Sequence, residues 1–183
     1  PKNFDEIKKA VNLWCAHNNY ALKKFGNIFN WDTSLITDMS LLFCFGNQDF
    51  DELSFDIDKI EDISNIENMN EDDIEKLTNV LLFWNGADFN DDISNWNVSN
   101  VKNMNRMFVE CDKFNQPLDK WDVSNVKSME EMFRGCKKFN QTLNSWNVSN
   151  VKNMECMFYG CENFDQLLNN WELSNLRFPC YMF

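Results

Sequence analysis

A tryptophan returns every 25 residues, at Trp96, Trp121, Trp146 and Trp171, and the same apolar frame returns around each one. A chain with such a period folds as a row of equivalent units, each touching only its neighbours. Three units align without gaps, at 89–113, 114–138 and 139–163, and a fourth runs from 164 to 183 and is incomplete. In the second unit the frame is Phe114, Leu118, Trp121, Val123, Val126, Met129, Met132, Phe133 and Cys136. One unit cannot bury its own apolar face, so stacked units must share a continuous core with identical side chains on adjacent rungs.

The spacing changes within each unit. Trp121 and Val123 are two apart, which is strand spacing. Met129, Met132, Phe133 and Cys136 fall on one face of a helix. The expected unit is a short strand, a turn, one or two helical turns and a return loop. Its strands would pair in parallel about 4.8 Å apart. The predicted fold class is therefore an α/β repeat solenoid. The recurrent Ser-Asn pairs (Ser99-Asn100, Ser124-Asn125, Ser149-Asn150 and Ser174-Asn175) sit where strand spacing ends. That position favours a ladder serving turn backbone groups over a row of ligand-binding amides.

Asn3 and Glu6 resemble a capping box, and Ile7, Ala10, Val11 and Trp14 share one helical face. A helix over about 4–17 is expected to cover the first rung, since a bare sheet edge invites aggregation. A first copy of the repeat follows at Trp31, with Ile36, Met39, Leu42 and Phe43 at the regular offsets. The next tryptophan of the frame is 65 residues on, not a multiple of 25. The whole chain reads as a single repeat domain, 1–183: an N-terminal cap (1–30), first and irregular repeats with an insertion (31–88), and regular repeats (89–183). Leu82 and Phe83, 25 before Met107 and Phe108, suggest a return to register. The insertion is acidic. Residues 49–75 hold twelve Asp or Glu and one Lys, a pattern of a solvated loop or surface helix.

The net charge of −12 and the lack of a long basic groove argue against nucleic acid. No apolar run is long enough to span a bilayer, so direct membrane insertion is not expected. Seven cysteines cannot all pair with one another. Cys111, Cys136 and Cys161 share one register position and read as stacked core thiols. The single histidine, His17, reads as a surface or cap residue; a His-based metal site or catalytic triad needs partners. A faint calcium-loop pattern at Asp56, Asp58 and Glu67 fails at Ile60 and Glu61. The sequons at Asn97, Asn140 and Asn147 follow the repeat frame and need not signal glycosylation. No cofactor, metal or enzymatic activity is expected.

The units resemble the BspA-like leucine-rich-repeat surface proteins with 25-residue repeats, a family abundant in Mycoplasma and found in protists and large DNA viruses. The residues that carry the likeness are Phe114-Asn115-Gln116-Pro117-Leu118, Trp121-Asp122-Val123-Ser124-Asn125-Val126, Met129, Met132-Phe133 and Gly135-Cys136. The opening segment is similar too, in Ala10-Val11, Trp14, Phe25-Gly26-Asn27-Ile28 and Trp31-Asp32-Thr33-Ser34. The resemblance covers about 2–46 and 80–183; the acidic insertion, and Pro179 in place of the repeat Met, depart from it. It implies a leucine-rich-repeat-like arc with an N-terminal capping helix and outward positions beside each Trp. Those positions are Asn95 and Asn97, Lys120 and Asp122, Ser145 and Asn147, then Asn170 and Glu172, the candidate interaction surface. The expected function is protein–protein interaction or surface recognition without catalysis. The alternative is a structural component of a large assembly such as a virus particle. A protein partner is expected, with a further contact through the incomplete C-terminal repeat. The likeness places the protein at a cell surface; the odd cysteine count and the absence of a visible signal peptide favour cytoplasm or virion.

Overall fold

The computed structural model describes residues 2–44, 66, 68–177 and 181–183, and of 80 and 82–86 the backbone only. The helices lie outside the regular units. Helix α1 (Phe4–Ala16) starts where the Asn3 side chain accepts from the Glu6 amide at 2.9 Å. It buries Ile7, Ala10, Val11 and Trp14, the face expected from their spacing, and Leu13 beside them. Helix α2 (Asn18–Phe25) follows at once and ends at Gly26, whose φ of +73° suits glycine. Helix α3 (Glu71–Asn85) takes up the C-terminal part of the acidic run. The Asn70 side chain accepts from the Asp73 amide at 2.9 Å and donates back to the Asp73 carboxylate at 2.7 Å. Glu71, Asp72 and Asp73 fill the first turn, where the helix dipole favours negative charge.

The expected strand and helix of each unit do not form, and the α/β assignment is wrong. Among the described residues parallel pairing is confined to isolated bridges linking Asp38, Asn103, Ser128 and Asn153. The units are built from successive turns. Trp121 N–H donates to Leu118 O, and Val126 N–H to Val123 O, at 3.1 and 2.9 Å. Such i→i+3 closures leave no extended run for a strand. In the second half, alternate amides reach the next unit: Met104 to Ser128 O, Arg106 to Glu130 O, Phe108 to Met132 O and Glu110 to Arg134 O. These donors are spent between units, so no i→i−4 ladder can close. Arg106, Glu131 and Cys156 also take φ between +53° and +57°, outside helical geometry. The two-residue and three-to-four-residue periods are therefore signatures of turns that alternately aim side chains into the core.

The core consists of columns of aromatic rings. Phe43, Phe108, Phe133, Phe158 and Phe183 stack in order, with centroids 5.3–5.7 Å apart. Phe89, Phe114, Phe139 and Phe164 make a second column at 5.8–5.9 Å. Trp31 stacks on Trp96, and Trp146 on Trp171, at 6.3 and 6.4 Å. Each indole N–H donates to a carbonyl of the preceding rung: Trp96 to Ile28, Trp121 to Ile93, Trp146 to Leu118 and Trp171 to Leu143, at 2.8–3.2 Å. The buried indole N–H thus finds its partner, and the same bond fixes the register between rungs.

The first copy sits directly on the second despite their separation of 65. Met39 N–H donates to Asn103 O and Lys102 N–H to Thr37 O, at 2.9 and 2.8 Å. Phe43 meets Phe89 at 4.1 Å, as Phe108 meets Phe114 at 4.2 Å across the boundary between two regular units. Phe89 therefore opens its unit against Phe43 as Phe114 opens the next against Phe108. The 40 additional residues are inserted between Phe43 and Phe89, where a regular unit has five. Leu82 and Phe83 lie on α3, and their side chains are outside those described. Helix α1 closes the other side of this first unit: Trp14 packs edge-on to Trp31 at 5.8 Å and donates to Asp91 at 2.8 Å. The Lys8 ammonium donates to the carbonyls of Leu41 and Leu42.

Candidate functional site

All eight outward positions beside the tryptophans are exposed. They form two columns, 95/120/145/170 and 97/122/147/172, with one residue per unit. Several are engaged in holding the turns. Asn97, Asp122 and Asn147 accept from the amides of Ser99, Ser124 and Ser149 at 3.0–3.2 Å. These are Asx turns, in which a side-chain oxygen stands in for a backbone carbonyl. Bonds from Ser124 hold the Asp122 carboxyl below the usual carboxylate range. Asn95 reaches Phe29 O at 3.4 Å, Ser145 donates to Asp119 O at 2.9 Å, and the Asn170 amide donates to Asn144 Oδ1 at 3.0 Å. Lys120 and Glu172 are exposed and make no such bonds among the described residues. The Ser-Asn row is a ladder: Asn100, Asn125, Asn150 and Asn175 donate to Ser34, Ser99, Ser124 and Ser149 carbonyls at 2.6–2.8 Å.

The thiols lie in the stack. Cys111, Cys136 and Cys161 donate to the carbonyls of Phe43, Phe108 and Phe133 at 2.9–3.3 Å. Burial pushes all three above the ordinary thiol range, Cys161 to about 12. Such thiols are poor nucleophiles. His17 is buried rather than superficial, at the junction of α1 and α2, and burial lowers its pKa. Among the described residues no three His, Cys, Asp or Glu side chains converge as metal ligands. The calcium-like pattern of 56–67 lies outside the described residues.

Two further features were not singled out from the sequence. An open cleft of about 250 Å³ between α1, α2 and α3 is lined by Lys9, Asn12, Lys24, Glu71, Glu75 and Thr78. The second is a set of cross-rung ion pairs on exposed columns. Lys113 meets Asp88, Arg106 meets Glu131 and Lys137 meets Asp112, at 2.6–2.9 Å. Burial raises the Glu131 carboxyl, but Arg134 and Arg106 outweigh it and hold it below its usual range. The sequence signal was available: each pair is 25 residues apart with opposite signs.

This is a repeat protein whose exposed side chains stand in columns on a rigid aromatic core. The chain belongs to the family described as Mycoplasma protein of unknown function, DUF285, whose model matches residues 12–85 and 76–183. No curated protein and no solved structure matches it.

Proposed function

We propose that this chain is a non-enzymatic module that recognises a protein partner. The observation that carries this reading is the contrast between core and surface. Core positions repeat as Trp, Phe and Met, while the exposed columns beside them change from Asn95 to Lys120, Ser145 and Asn170. The turns bearing these columns are fixed by side-chain and cross-rung bonds, so a partner would meet a preorganised surface and little ordering entropy would be lost. Crosslinking mass spectrometry on material from the native source tests the proposal. Reproducible crosslinks from Lys120 or its column neighbours to one protein are the expected result. Recovery in fixed ratio with particle proteins would instead favour a structural component. The absence of any reproducible partner would end the proposal.

A further inference from the structure

One exposed column carries a cation on each of the four regular rungs. Lys102, Lys127, Lys152 and Arg177 are 25 residues apart and all are exposed. Their backbones are bonded in series: Lys127 N–H to Lys102 O, Lys152 N–H to Lys127 O and Arg177 N–H to Lys152 O, at 2.8–3.0 Å. Adjacent members therefore stand one rung apart, roughly 5 Å, and the row spans roughly 15 Å. Three other columns carry opposite charges that pair across neighbouring rungs, Asp112–Lys137, Arg106–Glu131 and Asp88–Lys113, while Lys113 and Lys138, and Glu130 and Glu155, put like charges on only two neighbouring rungs each. Here four cations stack, and none forms an ion pair or side-chain hydrogen bond with a described residue. Like charges directly opposite one another repel. Among the described residues no anion offsets that repulsion.

From this geometry we infer that the row Lys102, Lys127, Lys152 and Arg177 is the docking strip for a short acidic segment of a partner protein. The inference rests on the reading of the chain as an interaction module and adds the chemistry of the partner. Charge complementarity selects the occupant. Five extended residues span about 14 to 17 Å, so a short run of Asp and Glu matches the row in length. Within the described residues the row holds four cations, so a much longer polyanion would gain no further partners from it. A nucleic acid would also want stacking platforms. The residues flanking the row on one side are Asn100, Asn125, Asn150 and Asn175, whose amides are already spent on the rung backbone.

The test uses the full chain and a fluorescein-labelled peptide carrying six consecutive glutamates, followed by anisotropy at low and at physiological ionic strength. Saturable, salt-sensitive binding is expected. Replacing Lys102, Lys127, Lys152 and Arg177 together by Gln should weaken it by roughly tenfold or more. Replacing Lys113, Lys120 and Lys138 by Gln should change it less than about twofold. Thermal unfolding of the first variant should be unchanged or shifted upward, since like-charge repulsion is removed. No binding by the parent chain, equal binding by the four-site variant, or tighter binding of a thymidine dodecamer than of the peptide would each overturn the inference. If crosslinking finds a partner on another column while the peptide fails to bind, the interaction reading stands and this strip is wrong.

Discussion

Replacing Trp146 by Phe separates the two contributions of the indole. Trp146 is 2% exposed, stacks on Trp171 at 6.4 Å and donates to Leu118 O at 2.8 Å. Leu118 O also accepts from the Trp121 amide at 3.1 Å, so losing the indole does not orphan it. The polar loss is then one net hydrogen bond, about 0.5–1.5 kcal/mol. The smaller ring leaves roughly 40 Å³ empty, which at about 24 cal/mol per Å³ adds close to 1 kcal/mol. Trp146→Phe should therefore cost about 1.5–2.5 kcal/mol, and Trp146→Ala about 3–5 kcal/mol. Trp171→Phe should cost less than Trp146→Phe, because Trp171 is the more exposed of the two, 7% against 2%. Urea unfolding followed by far-ultraviolet circular dichroism gives these differences as midpoint shifts at constant slope. A Trp146→Phe change within 0.5 kcal/mol of zero, or one as large as Trp146→Ala, would refute this account of the rung.

The glycines offer a second comparison. Gly135 and Gly160 hold φ of +74° and +75°. Gly160→Ala should cost about 1–2 kcal/mol from backbone strain alone, because its nearest obstacle is Gly135 Cα at 3.5 Å. Gly135→Ala should cost more, since its new Cβ would lie 2.6 Å from a Glu110 oxygen; adding Glu110→Ala should remove the excess in thermal melts. Stability should also fall in alkali. Cys111, Cys136 and Cys161 have folded pKa values above the unfolded value, so their contribution is full below about pH 9 and is lost as pH rises from there. Each thiol adds a slope of up to about 1.4 kcal/mol per pH unit, and Cys136→Ala should measurably flatten the decline between about pH 9 and 11. His17 runs the other way: its pKa is lowered, so its contribution holds above about 6.5 and is lost as pH falls. A nuclear magnetic resonance titration midpoint at or above 6.5 for His17 would contradict its burial.

The period of 25 located the core because buried side chains must match rung by rung. The Trp, Phe, Met and Cys positions were therefore legible, as was α1 through its capping box. The form of the backbone was not. Trp121 and Val123 point inward because two turns follow each other, and side-chain periodicity does not distinguish that from a strand. Met129, Met132 and Phe133 share a face without a helix, because their amides bond across rungs, a long-range choice invisible in local spacing. Helix α2 went unrecognised, and α3 was anticipated only as the surface-helix alternative for the acidic run, although its cap, Asn70 with Asp73, was readable. For the surface, the residues beside Trp were legible as outward, but their bonds within turns were not. The cationic column was legible as well, in Lys102, Lys127, Lys152 and Arg177 at the period of 25.

The junction between Phe43 and Phe89 has a use beyond this chain. It shows that the ring columns tolerate a detour of 40 residues at that junction while the rungs on either side keep their contacts. Loop closure grows only with the logarithm of length, so lengthening a five-residue return ninefold costs about 2 kcal/mol. The equivalent returns between Phe108 and Phe114, and between Phe133 and Phe139, are thus natural grafting points. A guest segment inserted at either would inherit a fixed position on the scaffold. Successive units could carry different guests about 5 Å apart, and the row would acquire new specificities without any change to its core.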